Sequence, residues 1–187
     1  NDIRYVGVRH EQTAAAIIEA TARLNGKPGC LMIHGASGLL AASAGIASAA
    51  LDSTPMLVLS ATQERRAMEN GWWQTMNVLP PLSEVLKWQI RVERPDQAVD
   101  AIRRALHETV SGKPGVAQVD LPIDVSTGDL DAGSPPVPAP RVAPMFRPLA
   151  DPVAVDDTAG LLRNAARPVL LVGGGAVYSG AERVLIE

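Results

Sequence analysis

Apolar and polar positions fall along this chain in blocks whose lengths predict a repeating order of strand and helix. Tyr5-Val6-Gly7-Val8 is a short β-branched and aromatic run that reads as a strand, and it stops abruptly at Arg9-His10-Glu11-Gln12. Ala14, Ile17, Ile18, Thr21 and Leu24 then recur at helical spacing, predicting a helix from about Gln12 to Leu24 with a stop at Asn25-Gly26. Cys30 to Ile33 reads as the next strand, His34-Gly35-Ala36-Ser37-Gly38 as a strand-to-helix turn, and Leu39 to Leu51 as a helix. Met56 to Ser60 follows as a continuous apolar strand of the kind found in parallel sheets covered on both faces. The predicted fold class is therefore α/β: a doubly wound, mostly parallel sheet with helices on both faces.

From Ala61 to Asn77 the periodicity lapses, and Arg65, Arg66, Asn70, Trp72, Trp73 and Gln74 gather in one irregular stretch; connections of this length often carry function. The regular pattern then resumes. A short helix is expected over Pro80 to Leu86, a strand over Trp88 to Val92, an amphipathic helix over Asp96 to Val110 and a buried strand over Val116 to Leu121. Asp120, just before Pro122, reads as a turn residue, and His107 falls on the exposed side of its helix. Six prolines between Pro135 and Pro148 mark a linker. The expected organisation is one domain over residues 1–125, a proline-rich linker over 126–150, and the start of a second α/β unit over 151–187. In that unit Val153 to Ala165 reads as a helix, Pro168 to Val172 as a strand, Gly173-Gly174-Gly175 as a turn, and Ser179 onward as a helix.

Composition narrows the functional classes. A net charge of −3 offers no basic footprint for nucleic acid. Pro28 to Leu51 has no charged side chain, but Gly35, Gly38 and a half made of Ala, Ser and Gly suit a buried strand and a closely packed helix better than lipid. Cys30 is the one cysteine, which excludes an intrachain disulfide and fits a reducing, cytoplasmic setting; it reads as an inert core thiol. The chain opens on Asn1, almost directly on a strand, so an upstream segment is expected to be missing.

The candidate chemistry begins with Glu11. A carboxylate in a first helical turn is favoured by the helix dipole, and strand-to-helix turns of open α/β sheets lie at the ligand-binding carboxyl edge. Acids are also common at helix starts for structural reasons alone. The small-residue helix behind Gly38 is expected to pack beneath a sheet or at a subunit interface.

The succession Arg9-His10-Glu11-Gln12, Gly26-Lys27-Pro28-Gly29, a strand ending in a glycine turn, Asp52-Ser53-Thr54-Pro55, and Lys113-Pro114-Gly115-Val116 before Val119-Asp120-Leu121-Pro122 resembles the pyrimidine-binding domain of thiamine-diphosphate enzymes. Acetolactate synthase, benzaldehyde lyase and oxalyl-CoA decarboxylase look most similar. The resemblance implies a decarboxylase or carboligase acting on a 2-keto acid or aldehyde, with Glu11 as the acid that activates the cofactor's aminopyrimidine. It places Gly35, Ala36, Ser37 and Gly38 against the cofactor, where the family usually has Gly-Pro-Gly and this chain is one residue longer. It implies His34, Trp73 and Gln74 as substrate-binding residues, and a homo-oligomer with each site between subunits. Mg2+ and the diphosphate would be held by a domain whose Gly-Asp-Gly signature does not occur here. Two other classes stay open: a nucleotide-binding α/β protein resting on Gly173 to Gly175, and a non-catalytic assembly or regulatory module.

Overall fold

The computed structural model describes residues 4–129 and 143–186. Helix α1 (Glu11–Asn25) leads to β1 (Gly29–His34), α2 (Gly35–Leu51) and β2 (Met56–Ala61). A short α3 (Arg65–Glu69) interrupts the following loop, and a 3₁₀ turn at Pro80–Leu82 precedes β3 (Trp88–Arg91). Helix α4 (Ala98–Val110), β4 (Val116–Asp120) and α5 (Ile123–Ser126) complete this part. Helices α6 (Pro152–Asn164), α7 (Gly174–Ser179) and α8 (Glu182–Ile186) follow. Among the described residues the strands are all parallel, in the order β1-β2-β4-β3.

Helix α1 ends where the sequence says it should. Gly26 takes φ 66° and returns its N–H to Ala22 O, a left-handed stop that glycine adopts without steric cost. Alternation along β2 builds two cores, one on each face. Met56 and Val58 join Leu31, Ile33, Leu39, Ile46 and Val116, whereas Leu57 joins Ala101, Ala105, Ala117 and Val119. The doubly wound expectation therefore holds, with α1 and α2 serving the first core and α4 the second.

The small-residue helix α2 packs on α1. A methyl group built on Gly45 would lie 2.7 Å from Ala15 Cβ and 3.4 Å from Gln12 O, so the two backbones approach where no side chain fits. The tight face runs through Ala42, Gly45, Ile46 and Ala49, while Ala44 is exposed. Gly45→Ala is expected to cost about 1 to 3 kcal/mol by overpacking, reduced by the roughly 1 kcal/mol that alanine gains in a helix. Urea denaturation measures it, and an unchanged or raised midpoint would show that α1 can move away.

Several expectations need correction. Tyr5–Val8 forms no strand: a strand needs a neighbour to take its N–H and C=O groups, and these exposed residues have none among the described residues. Pro168–Val172 is likewise unpaired, with Leu171 fully exposed. No loop separates β1 from α2, because the helix starts at Gly35 itself, so Gly35 to Gly38 form a helical first turn. Pro80–Leu86 shortens to a single 3₁₀ turn. Cys30 lies exposed on the outer strand rather than in the core. Most of the expected linker falls on residues 130–142, outside the described residues. Beyond them the chain rejoins the first part, where Ala143 N–H donates to Gly26 O at 2.9 Å and Met145 N–H to Val110 O at 2.8 Å. Among the described residues no helix is long and apolar enough to cross a membrane.

Candidate functional site

The carboxyl edge of the sheet collects the residues with chemistry to offer. Glu11 is the first residue of α1, entered from an extended His10 whose Nδ1 accepts the Gln12 N–H at 3.2 Å. The close packing of α1 on α2 places its half-buried carboxylate over the first turn of α2. A methyl group on Gly38 would stand 3.5 Å from Glu11 Oε1 and 2.7 Å from Ile33 Cγ2. Glycine at 38 thus lets Ile33 and the acid both pack on that turn; an added methyl group would clash with Ile33 and only touch Glu11.

Gln74 arrives from the long loop after β2. Its Nε2 donates to Ser37 Oγ at 3.0 Å, and a methyl group on Gly35 would fall 2.4 Å from its Oε1. Gly35 has φ +68°, so its lack of a side chain serves both backbone and neighbour. Gln74 itself sits at φ 57°, and its Oε1 is buried with no hydrogen-bond partner among the described residues. A left-handed non-glycine residue costs about 1 to 3 kcal/mol, and an unsatisfied buried acceptor costs roughly as much again. Both penalties meet in one residue, packed against the first turn of α2 and held there by its bond to Ser37.

Of the residues singled out in the sequence, Glu11, Gly35, Ser37, Gly38 and Gln74 are thus brought together. Ala36 lies buried in the same turn. His34 ends β1 and precedes α2 with no side-chain capping bond, its side chain exposed. Trp72 and Trp73 are 68% and 73% exposed, so the indoles stand in solvent and only Gln74 of the pair reaches the cluster. Arg65 is occupied elsewhere, donating to Asp124 Oδ2 at 2.8 Å and to Glu93 O at 2.7 Å. Gly173 caps the six-residue α7, which Gly174 and Gly175 open, and no side chain packs near these three glycines.

One assignment made from the sequence is overturned. Asp120 is a fully buried carboxylate, not a turn residue. It accepts from Ser60 Oγ at 3.0 Å, Thr62 Oγ1 at 3.2 Å and Arg91 Nε at 2.6 Å. The signal was present in the period of β4: Val116, Gln118 and Asp120 share one face of a strand buried throughout, so two polar side chains occupy core positions. Polar residues at such positions need partners, and Ser60, opposite Asp120 in the β2–β4 register, supplies one.

The cluster is a small polar group set beside a helix turn of small residues. It offers a carboxylate and an unsatisfied amide oxygen on a wall kept narrow by glycine, yet no group of His, Cys, Asp or Glu among the described residues is placed to hold a metal ion.

Residues 1–80 match the family described as thiamine pyrophosphate enzyme, N-terminal TPP binding domain. Over 189 residues the chain is 30% identical to the probable acetolactate synthase large subunit of Methanocaldococcus jannaschii, covering 100% of this chain and 32% of that protein. It is 31% identical to oxalyl-CoA decarboxylase of Escherichia coli, covering 99% of this chain and 33% of the other, and 30% identical to 2-hydroxyacyl-CoA lyase 1 of Mus musculus, covering 99% and 32%. The chain spans about a third of the length of these curated relatives.

Proposed function

From the premise that this chain belongs to the thiamine pyrophosphate enzymes, we propose that it supplies the pyrimidine-side half of a decarboxylase or carboligase site acting on a 2-keto acid or aldehyde. The observation that carries the reading is the meeting of Glu11 with the Gly35–Gly38 turn and Gln74 at the carboxyl edge of the sheet. When bound, thiamine diphosphate supplies an acidic thiazolium carbon and an electron sink for making or breaking a bond beside a carbonyl.

The chain's own residues prepare that chemistry. Glu11 would exchange a proton with the aminopyrimidine of the bound cofactor, a role suited to a carboxylate fixed at a helix start. Gly38, without a side chain, would leave the ring room beside Glu11, and Gln74 Oε1, with no partner among the described residues, would accept a hydrogen bond from the ligand. His34 and Trp73, both exposed at this edge, are the side chains available to orient substrate. Mg2+ and the diphosphate belong to residues beyond this chain. The exposed Trp72 and Trp73 support a site completed by a second subunit in a homo-oligomer, and the setting we assign is the cytoplasm.

Cofactor removal tests the reading. The complete enzyme, dialysed against chelator, is expected to lose its consumption of 2-keto acid or aldehyde and to regain it only when both thiamine diphosphate and Mg2+ are restored. Residues 1–187 alone are expected to give weak or no heat of thiamine diphosphate binding in calorimetry. Tight, magnesium-dependent binding by this segment would show that the site is assigned to the wrong residues.

A further inference from the structure

We propose that Asp120 is a positioning residue for the site: it gathers both feet of the loop Thr62–Asn77 and so fixes Gln74 against the first turn of α2. Gln74's task as a ligand-facing acceptor rests on the function proposed above; its placement by Asp120 does not.

The geometry is a closed chain of contacts. Asp120 Oδ2 accepts from Thr62 Oγ1 at 3.2 Å, which holds the first foot of the loop. The same oxygen accepts from Arg91 Nε at 2.6 Å, and the other arm of that guanidinium donates to Asn77 Oδ1 at 3.3 Å, which holds the second foot. Gln118, on the same strand face, reinforces the second foot by donating from Nε2 to Val78 O at 3.4 Å and to Ser60 Oγ at 3.1 Å.

A carboxylate and a planar guanidinium are well suited to this. The carboxylate accepts several bonds at once, and the fork of arginine fixes the angle between its two partners where lysine would offer only a point charge. Gln74 lies three residues from Asn77, at most about 10 Å of extended chain, so a foot released at Asn77 is felt at Gln74. The strained backbone of Gln74 needs such restraint, because a left-handed non-glycine residue persists only where its surroundings over-determine it.

Asn77 is the handle for a test, being exposed and therefore replaceable without opening the core. In the complete enzyme without cofactor, Asn77→Ala and Arg91→Lys are expected to speed amide hydrogen exchange over residues 70–76 at least tenfold. The strand segments 56–61 and 116–120 should be unchanged in Asn77→Ala. Asn77→Asp keeps an acceptor for Arg91 and should behave as the parent. In the assay with thiamine diphosphate and Mg2+, Asn77→Ala should lower kcat/KM about tenfold and add no further loss to Gln74→Ala, because both act through one contact. Unchanged exchange over 70–76 in Asn77→Ala overturns the proposal, as do losses that multiply in the double variant. If Gln74→Ala is itself without catalytic effect, the functional reading of Gln74 fails while the exchange data still decide its placement.

Discussion

Glu11→Gln in the complete enzyme is expected to fold as the parent does and to slow cofactor activation by about 10²- to 10⁴-fold, the usual contribution of a positioned acid-base group. The amide has the size of the acid and still lies over Gly38, which leaves room for it. Losing a first-turn charge costs only about 0.3 to 1 kcal/mol. What the amide cannot do is pass a proton to and from the ring nitrogen. The measurement is exchange of the thiazolium proton for deuterium, with parent and variant at matched cofactor and magnesium saturation. An unchanged rate would leave Glu11 a structural first-turn acid. A collapse of folding would point instead to a role in seating α1 on α2.

The largest effect on stability is expected from Asp120→Ala, at about 3 kcal/mol or more. Removing one partner of a buried ion pair typically costs about 3 to 5 kcal/mol because the other charge and its hydrogen-bonding neighbours lose their satisfaction. Here Ser60, Thr62 and Arg91 lose their acceptor together, two of them fully buried hydroxyl residues. Arg91 keeps some solvent contact, with 19% of its side chain exposed, which holds the cost to the lower end of the range. Asp120→Asn keeps one acceptor oxygen and should cost less. Urea denaturation of both variants gives the ordering. A loss under 1 kcal/mol for the alanine variant would mean that water replaces the carboxylate.

The two results read different layers of the molecule. Glu11 lies at an edge where changing one proton alters chemistry while packing is left alone. Asp120 lies beneath that edge, where changing one carboxylate alters the support of the loop. A site built this way lets the acceptor on Gln74 stay strained and unsatisfied, since the energy that holds it comes from buried contacts on the sheet.

The sequence by itself determined the parallel α/β sheet, the extent of α1 and its glycine stop, and the succession of strands and helices from α1 to β2 and from β3 to β4. These depend on local period and on turn residues, which are readable without knowing what packs where. It also located Glu11 at a helix start, since that follows from the break after Val8. Only the tertiary structure decided that α2 begins without a loop at Gly35, and that Gln74, 37 residues from Ser37, closes on that turn. Tyr5–Val8 and Pro168–Val172 carry strand composition yet remain unpaired, because a strand is completed by a neighbour that its own residues do not specify. Asp120 shows the same limit from the other side. Its position before a proline suggests a turn, but its burial and its three partners come from β2, β3 and the loop after β2, brought together by the β1-β2-β4-β3 order of the sheet.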